Sequence, residues 1–132
     1  MQPRILVRGL GEVALRVSDL ALMRRFYAEV LGLDVLGESV EGVFFRVAPG
    51  YGGHTQVLAL FNRRVPLSAA QTTLDHLAFT IDLADFEAER RRLEAVGLEL
   101  ELRTHAWVHW RSLYFRDPEG NQVELVCYDP TV

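Results

Sequence analysis

One pattern occurs twice in this chain, and a repeated pattern requires repeated folding units. Glu12-Val13-Ala14-Leu15-Arg16-Val17 returns 64 residues later as His76-Leu77-Ala78-Phe79-Thr80-Ile81. Each copy alternates with period two, which predicts a strand that buries Val13, Leu15 and Val17, or Leu77, Phe79 and Ile81, and turns Glu12 or His76 to the other face. A cap and an amphipathic helix follow each strand: Ser18-Asp19 before Leu22, Phe26, Val30 and Leu31, and Asp82 before Phe86, Leu93 and Val96. Gly32 and Gly97 close two helices of about equal length, in the left-handed position that glycine takes without steric penalty. Three more strands are predicted behind each helix, at 33–36, 43–47 and 56–61 and at 98–102, 111–116 and 122–127. Asp117-Pro118-Glu119-Gly120 has the residues of a type I turn, with Val47-Ala48-Pro49-Gly50 as its worn counterpart. The order is βαβββ, twice. Modules of about 10–62 and 74–128, joined by a polar linker at 62–73, make an α+β fold in one domain, 1–132.

Composition narrows the chemistry. A net charge of −4 argues against nucleic acid, whose sequence-independent affinity comes from concentrated cations. All 14 basic residues are arginine, so Schiff-base chemistry, lysine general bases and a phosphate-binding P-loop are excluded. Neither Gly9-Leu10-Gly11 nor Gly50-Tyr51-Gly52-Gly53 precedes a helix, so neither reads as a nucleotide loop. A single cysteine, Cys127, agrees with a reducing compartment and is expected simply to pack. The apolar runs are too short to span a bilayer, and Met1-Gln2-Pro3-Arg4 leads into no signal-peptide core. A cytoplasmic protein without membrane contact is expected.

The doubled unit carrying EVALRVSDL, RRFYAEVLGLDVLGE, LDHLAFTI and SLYFRDPEGNQVELV resembles the vicinal oxygen chelate superfamily from about Leu10 to Tyr128. That superfamily contains glyoxalase I, extradiol dioxygenases, fosfomycin-resistance enzymes and bleomycin-resistance proteins. The resemblance implies two βαβββ modules whose mixed sheets curl around one cavity with the helices outside, and a homodimer. It also implies a divalent metal chelated by two neighbouring substrate oxygens, its ligands drawn from the first and last strands of each half. Those positions here are Glu12, Ala59 or Leu58, His76 and Glu124, of which Glu12, His76 and Glu124 can bind a metal such as Mn, Ni, Co, Zn or Fe. One imidazole with two carboxylates departs from the two-His, one-carboxylate set usual for iron oxygenases. The function implied is a glyoxalase-like enzyme on a small oxygenated metabolite or xenobiotic, with Glu124 also as catalytic residue. The alternatives are a metal-free binding protein of the bleomycin-resistance kind and an extradiol-type dioxygenase.

Each candidate has a second reading. Glu124 interrupts the apolar Val123-Leu125-Val126 run, and a carboxylate facing a sheet interior needs a partner, which Arg16 or Arg111 would also supply. Glu12 reads equally as an exposed strand start or a partner of Arg16, and His76 as a core histidine. His54, His105 and His109 are competing ligands. His105 and His109, four apart, would share one face of a helix or straight strand, as a general acid or base or as part of a solvated loop. Trp110, Ser112 and Tyr114 alternate on one strand face, which reads equally as core packing or, where the resemblance turns it to the cavity, as the substrate-binding set together with Arg16. Arg90-Arg91-Arg92 among Glu87, Glu89 and Glu94 reads as a solvated helix face.

Overall fold

Each copy of the repeat builds a four-stranded sheet. The computed structural model describes residues 8–64, 74 and 76–132, and the chain divides into two units, Met1–Pro66 and Leu67–Val132. In the first, β1 (Glu12–Val17), α1 (Leu20–Arg25, prolonged by a π turn over Phe26–Val30), β2 (Asp34–Glu38), β3 (Gly42–Tyr51) and β4 (His54–Asn62) follow in order. The second has β5 (His76–Thr80), a 3-10 turn at Leu83–Asp85 leading into α2 (Phe86–Ala95), β6 (Glu101–His105), β7 (Trp110–Arg116) and β8 (Gln122–Tyr128). The sheet orders are β1-β4-β3-β2 and β5-β8-β7-β6. In each, the first strand runs parallel to the last and the other pairs are antiparallel. The expected α+β fold, βαβββ twice, is therefore the fold observed.

Local chemistry explains the elements. Asp19 caps α1 by accepting from the Leu22 amide at 3.0 Å, and Gly32, at φ +84°, ends the helix as expected. The Leu31 amide reaches back five residues to the Phe26 carbonyl at 3.0 Å, the mark of a π turn. Met23 and Tyr27 are buried with Val17, Val43, Phe45, Leu58 and Leu60 as the core of the first unit. Its counterpart in the second unit joins Phe86 and Leu93 to Leu77, Leu113, Phe115, Val123, Leu125 and Cys127. The 117–120 turn forms as predicted, with the Gly120 amide on the Asp117 carbonyl at 2.9 Å and the buried Asp117 carboxylate accepting from the amides of Glu119 and Asn121.

Several expectations fail. The reversal placed at Val47-Ala48-Pro49-Gly50 is instead the far part of β3. Beyond Arg46 that strand has no partner in β2, so the missing Pro49 N–H leaves no ladder bond unmade there. The turn falls at Gly52-Gly53, whose φ of +61° and +83° suit a two-residue hairpin. The strand expected at 98–102 begins only at Glu101, because the Leu98 amide closes α2 on the Leu93 carbonyl at 3.2 Å. Asp82 starts its 3-10 turn through its backbone carbonyl, without a side-chain cap. Of the expected linker, Asn62 belongs to β4 and 65–73 lie outside the described residues, as do Met1–Arg4. Among the described residues no helix is long and apolar enough to cross a membrane.

Candidate functional site

Register decides which side chains meet. Across the second sheet Ala78, Glu124, Tyr114 and Glu101 form one row, Thr80, Val126, Ser112 and Arg103 the next, and Tyr128, Trp110 and His105 a third. Residues opposite each other share a face, so His76, Glu124, Ser112, Tyr114 and Trp110 lie on one side. Val123, Leu125, Leu113 and Phe115 fill the buried side. Trp110, Ser112 and Tyr114 alternate as the sequence indicated.

Glu124 is the centre of this face. Only 5% exposed, it accepts from the Ser112 hydroxyl at 2.6 Å with Oε2 and lies 3.1 Å from His76 Nε2 with Oε1. Its expected alternative partner Arg111 turns instead to Asp129 at 3.1 Å. The Tyr114 ring stands edge-on to His76, centroids 6.3 Å apart, and its hydroxyl meets His105 Nε2 at 3.0 Å. Burial first, then the Glu124 charge, pushes the Tyr114 phenol above its ordinary value. Arg103 lies over the Tyr114 ring at 5.8 Å and pairs with Glu101 at 2.6 Å. An open cavity of about 650 Å³ is lined by His76, Glu101, Arg103, Tyr114 and Gln122 among others.

His76 and Glu124 fit a divalent ion. Two donors bonded to one ion at about 2.1 Å in adjacent positions are about 3.0 Å apart, close to the 3.1 Å seen between them. Ser112 holds the second Glu124 oxygen, as outer partners of ligating carboxylates do. Within neither unit do the described residues gather three His, Cys, Asp or Glu side chains into a group able to hold a metal, so this unit supplies a pair.

The first unit shows what the repeat kept and lost. Glu12 opens β1 as His76 opens β5, and Ala14 pairs with Ala59 as Ala78 pairs with Glu124. Ala59, not Leu58, is therefore the counterpart of Glu124. Phe44 answers to Tyr114, and Gly42 to Ser112. A Cβ at Gly42 would lie 2.6 Å from the Leu60 carbonyl oxygen, so no side chain fits there. Arg16 shares the Glu12 face, its guanidinium 5.3 Å from the Phe61 ring centroid and Nη1 donating to the Asn62 carbonyl at 3.1 Å. Phe61 in turn meets Phe44 edge-on at 5.4 Å.

The other histidines separate. A 3-10 turn at Ala106–Val108 follows His105, and His109, at φ +59°, bonds through Nδ1 to the Val132 carbonyl at 2.6 Å. The two do not act on one face, because the turn breaks the strand between them. His54 packs beside Gly11, where an added Cβ would approach the imidazole at 3.3 Å. Cys127 is buried, which pushes its thiol up, and Arg90 and Arg92 pair along their helix with Glu87, Glu94 and Glu89. Sequence reasoning did not single out Arg103, although period two through 101–105 places it with Glu101 and His105.

Known proteins match this chain along most of its length. Metallothiol transferase FosB of Staphylococcus haemolyticus is 29% identical over 121 residues, covering 91% of this chain and 84% of the relative. Glutathione transferase FosA of Serratia marcescens is 28% identical over 120 residues, covering 91% and 81%. Both relatives are named for enzymes. The crystal structure of integron cassette protein HFX_CASS4, from the mobile metagenome of the Halifax Harbour sewage outfall, superposes with a TM-score of 0.75 at 27% identity, over 92% of this chain and 99% of that one. The model of the Glyoxalase/Bleomycin resistance protein/Dioxygenase superfamily matches residues 9–125, and with the doubled βαβββ architecture this makes the chain a member of that superfamily.

Proposed function

We propose that this protein is a cytoplasmic, metal-dependent enzyme that acts on a small oxygenated molecule, glyoxalase-like in chemistry, and that it works as a homodimer. The observation that carries the reading is the Glu124 carboxylate, buried and held by Ser112 3.1 Å from an imidazole. His76 and Glu124 are two ligands, and Glu12, which opens the matching strand of the other module, is the third. A divalent ion such as Mn, Ni, Co, Zn or Fe would supply two coordination positions for neighbouring substrate oxygens and Lewis-acid stabilisation of negative charge on them. The chain's own groups do the rest. Glu124 keeps its orientation through the Ser112 hydroxyl and, as catalytic residue, presents its other oxygen at the reacting centre. Tyr114 and Trp110 wall the face, with the Tyr114 hydroxyl aimed by His105. Arg103 and Arg116 at the cavity and Arg16 on the other module are cations available to a substrate oxyanion. The naming of the FosB and FosA relatives as metallothiol and glutathione transferases supports a metal-dependent small-molecule enzyme.

The test is Mn(II) titration at fixed pH into protein purified without an affinity tag. Glu124→Gln and His76→Ala should each weaken binding at least tenfold, and Glu12→His should be tolerated with preference moving toward Fe(II). Unchanged affinity in both Glu124→Gln and His76→Ala would put any metal elsewhere, with His105 and His109 the next candidates, and make a metal-free binding protein the better reading.

A further inference from the structure

Another cavity, of about 490 Å³, opens at the hairpin end of the first sheet, and Arg8, Tyr51, His54 and Gln56 give it its polar groups. It does not belong to the face that carries Glu12. Gly11 and Gln56, both in its wall, each stand one residue before the pair of Glu12 and Val57 that opens the β1–β4 ladder. Side chains alternate along a strand, so these positions turn to the other side of the sheet, where Leu58 and Leu60 are buried.

Glycines set His54 in place. Gly50, at φ +74°, backs directly onto the His54 carbonyl, and the imidazole lies along Gly11, where any added Cβ would crowd it. Arg8, Tyr51, His54 and Gln56 all carry N–H or O–H donors, and none of these four side chains is engaged in a hydrogen bond or ion pair among the described residues. No carboxylate lines the cavity, although the chain has 18 acidic side chains. The cavity beside His76, in contrast, is lined by Glu99 and Glu101. Unspent donors, a full positive charge and no acid make a place for an anion.

Shape and size say which anion. Arg8 comes from the segment before β1, Tyr51 from the end of β3, and His54 and Gln56 from β4, so the donors belong to three segments around one space. A phosphoryl group offers three acceptor oxygens in different directions, whereas a carboxylate offers two in one plane. The volume falls in the range of about 300–1,000 Å³ that whole small molecules occupy, more than a bare oxyanion fills. The Tyr51 ring, 63% exposed, supplies an apolar wall for the rest of such a molecule. We propose that this cavity binds a small phosphate monoester, its phosphoryl group on Arg8 and His54 and its organic body against Tyr51. The site lies apart from Glu12, His76 and Glu124 and does not depend on the metal reading.

Calorimetric titration of the whole chain with phenyl phosphate, inorganic phosphate and phenylacetate, in EDTA so that no metal takes the anion, tests the site. Phenyl phosphate should bind at least about tenfold more tightly than either of the others. Arg8→Gln should remove at least about tenfold of that affinity, and Arg8→Lys should recover part of it. Gly11→Ala, which crowds the imidazole, and His54→Gln should each weaken phenyl phosphate severalfold with an unchanged circular dichroism spectrum. Tyr51→Leu should weaken phenyl phosphate but not inorganic phosphate. Arg16→Gln and Arg103→Gln, on other faces, should leave the affinity as it is. The proposal is overturned if wild type does not bind phenyl phosphate, if phenylacetate binds as tightly, if Arg8→Gln keeps the affinity, or if Arg16→Gln or Arg103→Gln is the variant that loses it. Equal affinity for inorganic phosphate and phenyl phosphate overturns the ester and makes the free anion the ligand.

Discussion

A buried carboxylate must be paired with something, and Glu124 is paired twice, with the Ser112 hydroxyl and with His76. If Ser112 serves to orient Glu124, Ser112→Ala should lower Mn(II) affinity by about 10–100-fold, and the buried carboxylate oxygen it strips of a partner should cost the metal-free protein about 1–3 kcal/mol of stability; an unaltered titration curve would make the hydroxyl merely a packing group. Glu124 and His76 were legible in sequence because one interrupts an apolar run and the other occupies a repeat position. Ser112 as the Glu124 partner was not, because the pairing depends on which residues of β7 and β8 lie abreast, and a one-residue slip would send Ser112 to the other face. At the far end of the same strands Asp129 is held below the ordinary carboxylate range, first by the Thr131 hydroxyl and amide and, more weakly, by Arg111. A depressed folded-state value means that its stabilisation is complete above the unfolded-state value of about 4 and is lost as pH falls through the folded one. Asp129→Asn should therefore lower stability at neutral pH and leave it closer to wild type near pH 2, as measured by urea unfolding at both.

Among the elements, the β3–β4 hairpin shows how local irregularity positions a regular sheet. Its ladder shifts between Arg46 and Ala48 and again before Tyr51, and Gly50 makes this feasible with φ +74° and its Cα hydrogen pressed toward the His54 carbonyl. A Cβ there would lie 2.0 Å from that oxygen. Gly50→Ala should cost at least about 2 kcal/mol in chemical denaturation, whereas Gly52→Ala, with open space around its Cβ, should cost only about 1 kcal/mol from its left-handed φ. Pro49-Gly50 looks like a turn in isolation, so the sequence alone puts the reversal of this hairpin too early. Only the absence of a neighbour on one side of β3 makes a strand proline acceptable. The late start of β6 has a similar cause, since the amide that would open the strand is already spent closing a helix.

At the scale of the molecule, the repeat predicted two equivalent sheets, and both form with the same strand order and the same parallel pairing of first to last strand. Strand β2 lies at the end of its sheet and is exposed along its whole length, Val35 and Leu36 included. Exposed end strands of this kind invite pairing with another chain. Light scattering at micromolar concentration should give twice the 15.0 kDa chain mass, and a particle of single mass would remove the dimer. If the two units make one domain, heat should unfold them in a single calorimetric transition with equal van't Hoff and calorimetric enthalpies. The parallel pairing has one more consequence, for anyone who would re-order the chain. Val17 ends β1 beside Asn62 at the end of β4, so a module releases its chain at the opposite end from where it took it in. Joining the two natural ends of one module, with new termini cut at Gly52-Gly53, would require a linker that spans β1, about 17 Å. A second module appended after Asn62 needs no such return path, which makes tandem copying the easier route by which a unit of this topology multiplies.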